Sequence, residues 1–258
     1  MSTSRQPSAV VRTSSIGFSA GYRWNRQGSE WGQLVWATGG TIIVRTTDSG
    51  GSLPREMRWT VPVRQALWLP PRTPSVVELT GRGVLRSVHV HASRLANAPT
   101  VPRVLALEPL LRELLRRVLT QETLATEVPR DMRLLRVLID ELGASVIPEL
   151  ALPMPQDSRA RRAALSFIAD PTGETALTVH ARNAGASLRT LERYFREETS
   201  LALGAWRQRA ALLHAIEQLA AGASVTQAGL AAGYDSTSAF VNAFRRLTGT
   251  TPGKYPRR

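Results

Sequence analysis

Side chains that can read DNA bases recur at helical spacing in the last third of the chain. Arg189 and Arg193 are four residues apart, and Ser238 and Asn242 repeat that spacing. An arginine can donate two hydrogen bonds to guanine O6 and N7, and an asparagine can pair with adenine in the same way. Both contacts require a helix that enters the major groove. These residues therefore indicate base recognition if they share an exposed helix face; the alternative is a solvated face that contacts nothing.

The helical phase places these polar side chains opposite apolar ones. At 100° per residue, Leu188, Leu191 and Phe195 cluster on one side of their segment, with Arg189 and Arg193 on the other. The later segment has a predicted core stripe of the same kind, formed by Phe240, Ala243, Phe244 and Leu247. We expect Ser238, Asn242 and Arg245 to face away from that stripe, so that both polar faces point outward.

The two segments are copies of one supersecondary unit. Matching pairs at a constant offset of 49 residues (236 minus 187) are Ser187/Ser236, Leu191/Phe240, Phe195/Phe244, Arg196/Arg245, Thr199/Thr248, Gly204/Gly253 and Trp206/Tyr255. Each copy has a short helix, a glycine turn (Gly185 or Gly233, expected at positive φ) and a second helix, which is a helix-turn-helix. The predicted N-caps are Thr178 and Thr226 for the first helices, and Ser187 and Asp235 or Ser236 for the second ones.

A long helix is predicted between the copies. Trp206, Ala210, Leu213 and Ile216 recur at intervals of three or four, and the helix should run for about 17 residues, roughly 26 Å. A rod of that length can hold two recognition helices about one DNA turn apart, roughly 34 Å. The arginines expected to contact phosphates, which add affinity without sequence information, are Arg196, Arg207, Arg209, Arg245 and Arg246.

The N-terminal part of the chain is predicted to be all β. Short runs rich in β-branched and aromatic residues, separated by glycine and proline, indicate a sandwich or small antiparallel barrel over residues 16–98, after a flexible tail at 1–15. Gly39-Gly40, between "QLVWAT" and "TIIVRTT", indicates a hairpin.

Two amphipathic helices follow within residues 99–147. Their leucines are Leu107, Leu111, Leu114 and Leu115, then Leu134, Leu135, Leu138 and Leu142. This helical hairpin either packs on the barrel or forms a dimerisation surface, and the pattern fits both. A proline-rich linker at 148–157 then leads into the all-helical segment 158–258. The predicted fold class is α+β: a barrel with a helical hairpin, then an all-α domain of two helix-turn-helix units joined by a linker helix.

Composition limits the partners and the chemistry. The net charge of +13 favours an acidic partner, namely nucleic acid, an anionic membrane surface or an acidic protein, although a basic surface can also serve solubility alone. The chain has no cysteine, which excludes disulfides and thiolate metal sites. Neither a signal-peptide core nor an apolar run of about 18 residues occurs, so we expect a cytoplasmic protein without a membrane partner.

The segment from about Ser158 to Arg258 resembles the AraC/XylS family of bacterial transcription regulators, most clearly in "AAGYDSTSAFVNAFRRLTGTTPGKYPRR". That family has a seven-helix DNA-binding domain with two helix-turn-helix units on a central linker helix. The resemblance implies base contacts by Arg189, Glu192 and Arg193 in the first unit and by Thr237, Ser238, Val241 and Asn242 in the second. It implies a sequence-specific activator or repressor that binds double-stranded DNA, and RNA polymerase is a further candidate partner. A homodimer is expected from the leucine pattern of residues 107–142 alone.

The β region is similar to the cupin-like sensor domain of one branch of this family, in "GQLVWATGGTIIVRT" and "QALWLPPRTPSVVEL". The resemblance implies a small-molecule effector held inside the barrel. Five tryptophans lie in the β region, and most of them are expected in the core. The residues predicted to line an effector pocket are Trp24, Trp36, Trp68, His89 and His91.

No metal or other cofactor is predicted. The positions that resemble cupin metal ligands hold Gln27, Ser29, Gln33 and Ser75, none of which is a histidine or a carboxylate. His89 and His91 share a strand face, but two imidazoles without a third ligand rarely bind a metal.

Two other functions remain as alternatives. A cupin-type enzyme fused to a DNA-binding domain would need metal ligands or a nucleophile and base, and the sequence shows neither; His180 and His214 are expected to be structural. A non-specific architectural DNA-binding protein would bind with steep salt dependence and no preferred sequence. The shared orientation of Arg189, Arg193 and Asn242 argues against the architectural function, and we expect no enzyme activity.

Overall fold

The computed structural model describes residues 9–48, 55–125, 127–144 and 150–254. Its strands are β1 (Ala9–Phe18), β2 (Arg23–Arg26), β3 (Trp31–Ala37), β4 (Thr41–Asp48), β5 (Arg55–Pro62), β6 (Gln65–Leu69), β7 (Ser75–Thr80), β8 (Gly83–His91), β9 (Arg103–Ala106), β10 (Thr123–Ala125) and β11 (Ala151–Pro153). Its α-helices are α1 (Pro109–Gln121), α2 (Pro129–Glu141), α3 (Ser158–Ala169), α4 (Leu177–Asn183), α5 (Leu188–Thr199), α6 (Leu203–Ala220), α7 (Val225–Ala231) and α8 (Thr237–Thr248). The predicted α+β class is confirmed.

The strands form two open sheets, and the predicted closed barrel is wrong. One sheet has the order β10-β1-β8-β3-β6-β9, and the other has the order β11-β5-β4-β7-β2. Both sheets end in short strands of three or four residues, which limits the length of the free edges. The prediction failed because strand spacing and alternation are the same in a sandwich and in a barrel, and neither pattern encodes closure.

The hairpin predicted at Gly39-Gly40 is also wrong. Strand β3 pairs with β8 and β6, whereas β4 lies between β5 and β7 in the other sheet, so the two glycines carry the chain from one sheet to the other. Gly40 has φ of +67°, and a Cβ there would lie 2.1 Å from the carbonyl oxygen of Thr80. The glycine therefore permits a close backbone approach as well as a turn.

The chain divides into two compact units, the first of which spans Met1–Ile42 and Val63–Pro148. In this unit α1 and α2 cover one face of the six-stranded sheet, and their buried residues Leu111, Leu115, Leu135 and Leu138 join Trp36 and Trp68 in one apolar core. One of the two predicted roles of the helical hairpin, packing on the β domain, is therefore observed. The described part of the predicted tail, residues 9–15, forms the first seven of the ten residues of β1.

The second unit comprises Ile43–Pro62 and Glu149–Arg258. It thus combines the helical segment with residues 43–62, which the sequence analysis assigned to the barrel at 16–98. Strand β11 lies inside the predicted linker 148–157 and pairs with β5 through Ala151 and Trp59. Proline is compatible with an edge strand, which explains why a proline-rich stretch forms a strand instead of a free linker. None of the described helices is long and apolar enough to cross a membrane.

The duplicated helix-turn-helix is confirmed: α4 and α5 form the first copy, and α7 and α8 form the second. Gly185 and Gly233 both have φ of +74°, as predicted for the turns. Ser187 and Ser236 cap α5 and α8 as expected.

The predicted caps Thr178 and Thr226 are wrong, because α4 begins after Ala176 and α7 begins after Ser224. At the second of these starts, Ser224 and Gln227 form a reciprocal capping box that leaves Thr226 inside the helix. The described residues from 158 onward contain six helices, one fewer than the family resemblance implies.

Candidate nucleic-acid interface and ligand pocket

Helix α5 is held by its apolar side and exposes its polar side. Leu191 and Phe195 are fully buried, and the Phe195 ring packs edge-on against Trp206 of α6 at 5.1 Å between ring centroids. A helix anchored on one face must present the other face to solvent. The predicted base-contacting residues of this unit, Arg189, Glu192 and Arg193, are accordingly exposed.

Arg193 is oriented by its helix neighbours. Its guanidinium lies over the Tyr194 ring at 4.4 Å and forms an ion pair with Glu197 at 2.9 Å. The Tyr194 side chain and the Glu197 carboxylate together raise the pKa of Arg193. Arg193 and Glu197 are both more than half exposed, so the pair restrains the arginine without burying it.

An open cavity of about 660 Å³ lies beside this helix face. It is lined by Arg189, Glu192, Arg193 and Arg196 of α5 and by the first residues of α6. The N-cap residue of α6, Ala202, has no side chain that can cap the helix, so the first backbone N–H groups of α6 remain available. Five charged side chains, those four and Glu197, therefore face the same space as the uncapped start of α6.

Helix α8 is anchored in the same way as α5. Phe240, Ala243 and Phe244 are buried, and the Phe240 ring contacts Phe244 at 5.6 Å between centroids. The facing helix α7 comes close at Gly229, where a Cβ would lie 3.1 Å from the Phe240 ring. Three of the predicted base-contacting residues of the second copy, Thr237, Ser238 and Asn242, are exposed. The fourth, Val241, is half-buried.

The five arginines predicted to contact phosphates separate into two groups. Arg196, Arg245 and Arg246 are exposed on α5 and α8. Arg207 and Arg209 are instead half-buried and contact other parts of the protein, while their phosphate contacts stay a prediction. The Arg207 guanidinium lies over the Phe167 ring at 5.0 Å, and Arg209 donates to the carbonyl oxygen of Ala151 at 3.4 Å. Helix α3 and strand β11 supply these contacts, which a periodicity argument on α6 alone does not include.

Helix α6 connects the two copies and is fixed along its length. Its buried residues include Trp206, whose indole N–H donates to the carbonyl oxygen of Pro153 at 2.6 Å. Farther along, Glu217 accepts a hydrogen bond from Arg58 of β5 at 3.5 Å. Burial raises the pKa of Glu217, and Arg58 acts in the opposite direction. These contacts within the second unit make α6 a rigid connection.

His180 joins helix α4 of the first copy to the preceding helix α3. Its Nδ1 lies 2.9 Å from the Ser166 hydroxyl of α3, and its Nε2 lies 3.2 Å from an Asp170 carboxylate oxygen. The three residue types are those of a catalytic triad, but the imidazole is only 5% exposed and packs on Phe167. Burial acts to raise the pKa of Asp170, yet hydrogen bonds from Thr175, Thr172 and His180 outweigh it and hold that pKa far below its usual range. The arrangement therefore ties α4 to α3.

A second cavity, of about 480 Å³, lies in the first unit. Of the predicted effector-pocket residues, Trp24 and His89 line it. Trp36 and Trp68 are instead buried in the apolar core, where the Trp68 indole donates to the carbonyl oxygen of Pro99. His91 caps the short 3-10 turn at Ala92–Arg94 through its Nδ1 atom. Three of the five residues predicted to line an effector pocket therefore lie outside the lining of this cavity.

Sequence reasoning missed most of the lining. The residues that line the cavity and were not in the predicted set are Arg12, Thr13, Ser14, Ile16, Arg26, Ser29, Trp31, Gln33, Leu85 and Ser87. Apart from Thr13 and Ser29, they alternate along four strands, so period-two alternation would have identified the shared face once the strands were paired. Gln33 and Ser29, noted above as replacing metal ligands, are in this set.

Within the described residues there is no group of three histidine, aspartate, glutamate or cysteine side chains that could hold a metal. The Nε2 atom of His89 lies 2.9 Å from the hydroxyl oxygen of Ser87. Ser75, at a position that resembles a metal ligand, is a buried serine. Gln27 is exposed and does not line the cavity. Besides two arginines and one imidazole, the polar side chains that line the cavity are an amide and hydroxyls, which suit an organic ligand better than a transition metal.

Comparison with known proteins identifies the DNA-binding segment and the family. Residues 180–258 match the helix-turn-helix domain family HTH_18. The chain is 30% identical over 224 residues to the transcriptional regulator NimR of Escherichia coli, covering 87% of this chain and 79% of NimR. It is 33% identical over 103 residues to the regulator RipA of Corynebacterium glutamicum, covering 40% of this chain and 31% of RipA.

Among solved structures, ToxT of Vibrio cholerae aligns over 95% of this chain and 96% of its own, at 13% identity and a TM-score of 0.38. The similarity to NimR extends over most of both chains, and the matched domain contains both helix-turn-helix copies except for the first residues of α4. The chain therefore belongs to the AraC/XylS family of helix-turn-helix transcription regulators.

Proposed function

We propose that this regulator places α5 and α8 in two successive major grooves of its operator, under the control of a small molecule bound in the first unit. The observation that carries this proposal is the presence of two equivalent exposed helix faces at the two ends of one rigid helix. Both faces present side chains that can hydrogen-bond to base edges. A helix face that serves only to contact solvent would not require the same exposed arrangement in both helix-turn-helix copies.

The base-reading residues differ between the two copies. In the first copy, Arg189 and Arg193 read guanine, and Glu192 accepts a hydrogen bond from cytosine N4. In the second copy, Asn242 reads adenine. Thr237, Ser238 and Val241 add contacts with less chemical specificity, a hydroxyl to either kind of base edge or an apolar contact to a thymine methyl group. The first copy therefore contributes more of the sequence preference.

The length of α6 fits this arrangement. Its 18 residues extend about 27 Å at 1.5 Å per residue, close to the roughly 34 Å between major grooves on one face of DNA. Because its contacts with β5 and β11 hold α6 in place, it fixes the spacing of the two recognition helices. Arg196, Arg245 and Arg246 contact phosphates beside these helices and give binding its salt dependence.

The two compact units are connected covalently through residues 43–62, and this connection can transmit effector control. Residues 43–62 belong to the second unit but are connected at both ends to strands of the first unit. Strand β5 in this segment contacts α6 through Arg58 and Glu217. A ligand that alters the first unit can therefore bias the helix that spaces the two recognition helices. The route is within one chain and does not require a second protein.

A homodimer formed through α1 and α2 is part of the same proposal. Leu110 is 52% exposed and Val137 is 41% exposed, and together with Leu114 and Leu134 they line an apolar groove edged by arginines. Exposed leucines and valines at helical spacing favour pairing with a second molecule of this chain.

Sedimentation of the wild type and of a Leu110→Glu, Val137→Glu variant tests this proposal. We expect the wild type to be a dimer and the variant to be a monomer. A monomeric wild type would contradict the proposal. We further propose that the dimer acts on RNA polymerase at its promoters in the bacterial cytoplasm.

Selection from random duplex DNA with the full-length protein, at fixed near-physiological salt, tests the proposed function. We expect enrichment of two short boxes about one helical turn apart, one box for each copy. Specific binding should exceed non-specific binding by about a thousandfold or more at that salt. Salt-sensitive binding with no enriched sequence would instead establish an architectural DNA-binding protein and contradict the proposal.

A further inference from the structure

We propose that the cavity of the first unit binds a planar organic carboxylate that also carries a hydrogen-bond donor. The inference rests on the proposed function in treating the occupant as the effector. It goes further by specifying the ligand's chemistry. Three features of the lining support it: an excess of positive charge, flat apolar walls and one buried acceptor without a donor.

The charge comes from two arginines, Arg12 and Arg26, which line the cavity. Among the described residues that line it, none is an aspartate or a glutamate. Arg26 donates to the carbonyl oxygens of Thr73 and Trp31, which hold its orientation but leave its charge uncompensated. Burial lowers the pKa of Arg26, as expected for a cation partly removed from water. An anionic ligand would supply the missing negative charge.

His89 lies between these cations and does not add to their charge. On β8 it is directly opposite Arg12 of β1 and Gln33 of β3. Burial lowers the pKa of His89, and the nearby charges of Arg26 and Arg12 lower it further. The imidazole is therefore neutral at physiological pH and contributes a polar wall. The two guanidinium groups remain as the anion-binding elements.

Arg12 is the side chain best placed to bind the anion. It is exposed at the mouth of the cavity, and its guanidinium is stacked over the Trp31 ring at 4.4 Å. Stacking fixes the plane of the guanidinium while its N–H groups stay available. A planar carboxylate matches that fork with two parallel hydrogen bonds.

The walls favour a flat apolar body. Trp24 and Trp31 contribute indole rings, and Ile16 and Leu85 contribute aliphatic surface. Aromatic rings stack favourably in offset or edge-on arrangements within such walls. An inorganic anion would leave this apolar surface unused, and a neutral sugar would leave the positive charge of both arginines uncompensated. An aromatic acid satisfies both features.

The floor of the cavity requires a donor. Gln33 is only 3% exposed, and within the described part of the chain its carboxamide oxygen has no hydrogen-bond partner. The neighbouring hydroxyls are already engaged, since Ser87 contacts both Ser14 and His89. A buried acceptor without a donor is costly, so a ligand O–H or N–H at this position would gain affinity. The ligand therefore carries its donor at the end opposite its carboxylate.

Calorimetric titration of the full-length protein with 6-hydroxy-2-naphthoate tests the inference. The comparison ligands are 2-naphthoate, which lacks the donor, 6-hydroxy-2-naphthamide, which lacks the charge, and inorganic phosphate, which lacks the apolar body. We expect the hydroxy acid to bind most tightly, with the other three at least about fivefold weaker. Equal binding of acid and amide, or competition by phosphate at the same concentration, would overturn the inference.

Two variants and a control locate the site. Arg12→Gln should weaken binding of the hydroxy acid by about tenfold to a hundredfold while leaving the amide unchanged. Gln33→Leu should abolish the preference for the hydroxy acid over 2-naphthoate. Arg82→Gln, at an exposed arginine outside the lining, should match the wild type. Unaltered binding in Arg12→Gln would show that the acid binds elsewhere, and the wild-type ligand comparison remains decisive even if Gln33→Leu does not fold.

The failure of this inference can be separated from failure of the proposed function. The operator selection described above is carried out without any naphthalene compound, so enrichment of two boxes does not depend on this ligand. If the boxes are enriched and none of the acids binds, the ligand chemistry is wrong and the DNA-binding proposal stands. If the hydroxy acid binds in the cavity but leaves operator affinity unchanged, the site is correct and effector control is contradicted.

Discussion

Arg193 and Arg209 show that the neighbourhood of a guanidinium decides what it can contact. Both lie on helices of the DNA-binding segment, and both were predicted to touch DNA. Arg193 is exposed and restrained by Tyr194 and Glu197, whereas Arg209 donates to a backbone carbonyl of β11. Helical phase predicts which way a side chain leaves its own helix, but it contains no information on what other segments place there.

The core phenylalanines are the residues that the sequence predicts most securely. Phe244 is fully buried beside Phe240, and its periodicity alone indicates that position. Phe244→Ala should lower the free energy of unfolding by about 3–5 kcal/mol, because it removes a ring and leaves a cavity. Chemical denaturation measures the change. The neighbouring exposed Arg245→Ala serves as the control and should alter stability by at most about 0.5 kcal/mol; a similar loss in both variants would contradict the assigned helix phase.

At the scale of elements, the helices were predictable and the strand pairing was not. Amphipathic periodicity gave α1, α2, α5 and α8 to within a few residues. Caps were right where the capping side chain starts the apolar pattern, as at Ser187, and wrong where a neighbour forms a better cap, as at Ser224. Strand partners depend on contacts distant in sequence, and the Gly39-Gly40 turn does not encode whether its strands pair with each other.

The pair formed by β5 and α6 gives a pH-dependent prediction. Arg58 and Glu217 are 19% and 17% exposed, and removing Arg58 leaves the Glu217 carboxylate buried without its cation. Arg58→Met should lower the free energy of unfolding by about 1–3 kcal/mol near pH 8. The loss should shrink toward pH 5. The reason is that the folded-state pKa of Glu217 is raised, so the folded variant retains a proton that the unfolded chain releases.

Denaturant titrations of Arg58→Met at several pH values measure this effect. The double variant Arg58→Met, Glu217→Gln is the control, because it has no carboxylate to titrate at that position. Its stability relative to the wild type should depend much less on pH. A loss in Arg58→Met that is the same at pH 5 and pH 8 would show that the arginine acts through packing and not through its charge.

At the scale of the whole molecule, the order of domains along the chain was predictable but the division between the compact units was not. The β region, the helical hairpin and the double helix-turn-helix follow one another as the sequence patterns indicate. Residues 43–62, however, belong to the unit of the DNA-binding helices, and β11 replaces the expected linker. That division arises because β5 packs against β11 and α6, which are both distant from it in sequence. Local propensity does not report such contacts.

The dependence on contacts distant in sequence also explains why the ligand pocket could not be predicted in full. Its lining comes from four strands, and only pairing brings Arg12, His89 and Gln33 into one row. From the sequence alone, tryptophans and histidines were the candidates for lining the pocket, and three of the five do not line the cavity. The base-reading faces were accessible to sequence analysis because each lies on a single helix.

The central claim is that α5 and α8 read separate boxes, and selection from random DNA with a matched set of variants tests it most directly. The variant Arg189→Ala, Arg193→Ala should lose sequence preference in one box, with each substitution costing roughly 1–3 kcal/mol, while the other box stays unchanged. The variant Arg245→Ala, Arg246→Ala should retain both boxes and bind with a smaller salt dependence. Loss of preference in both boxes together, or in neither, for the α5 variant would contradict the claim.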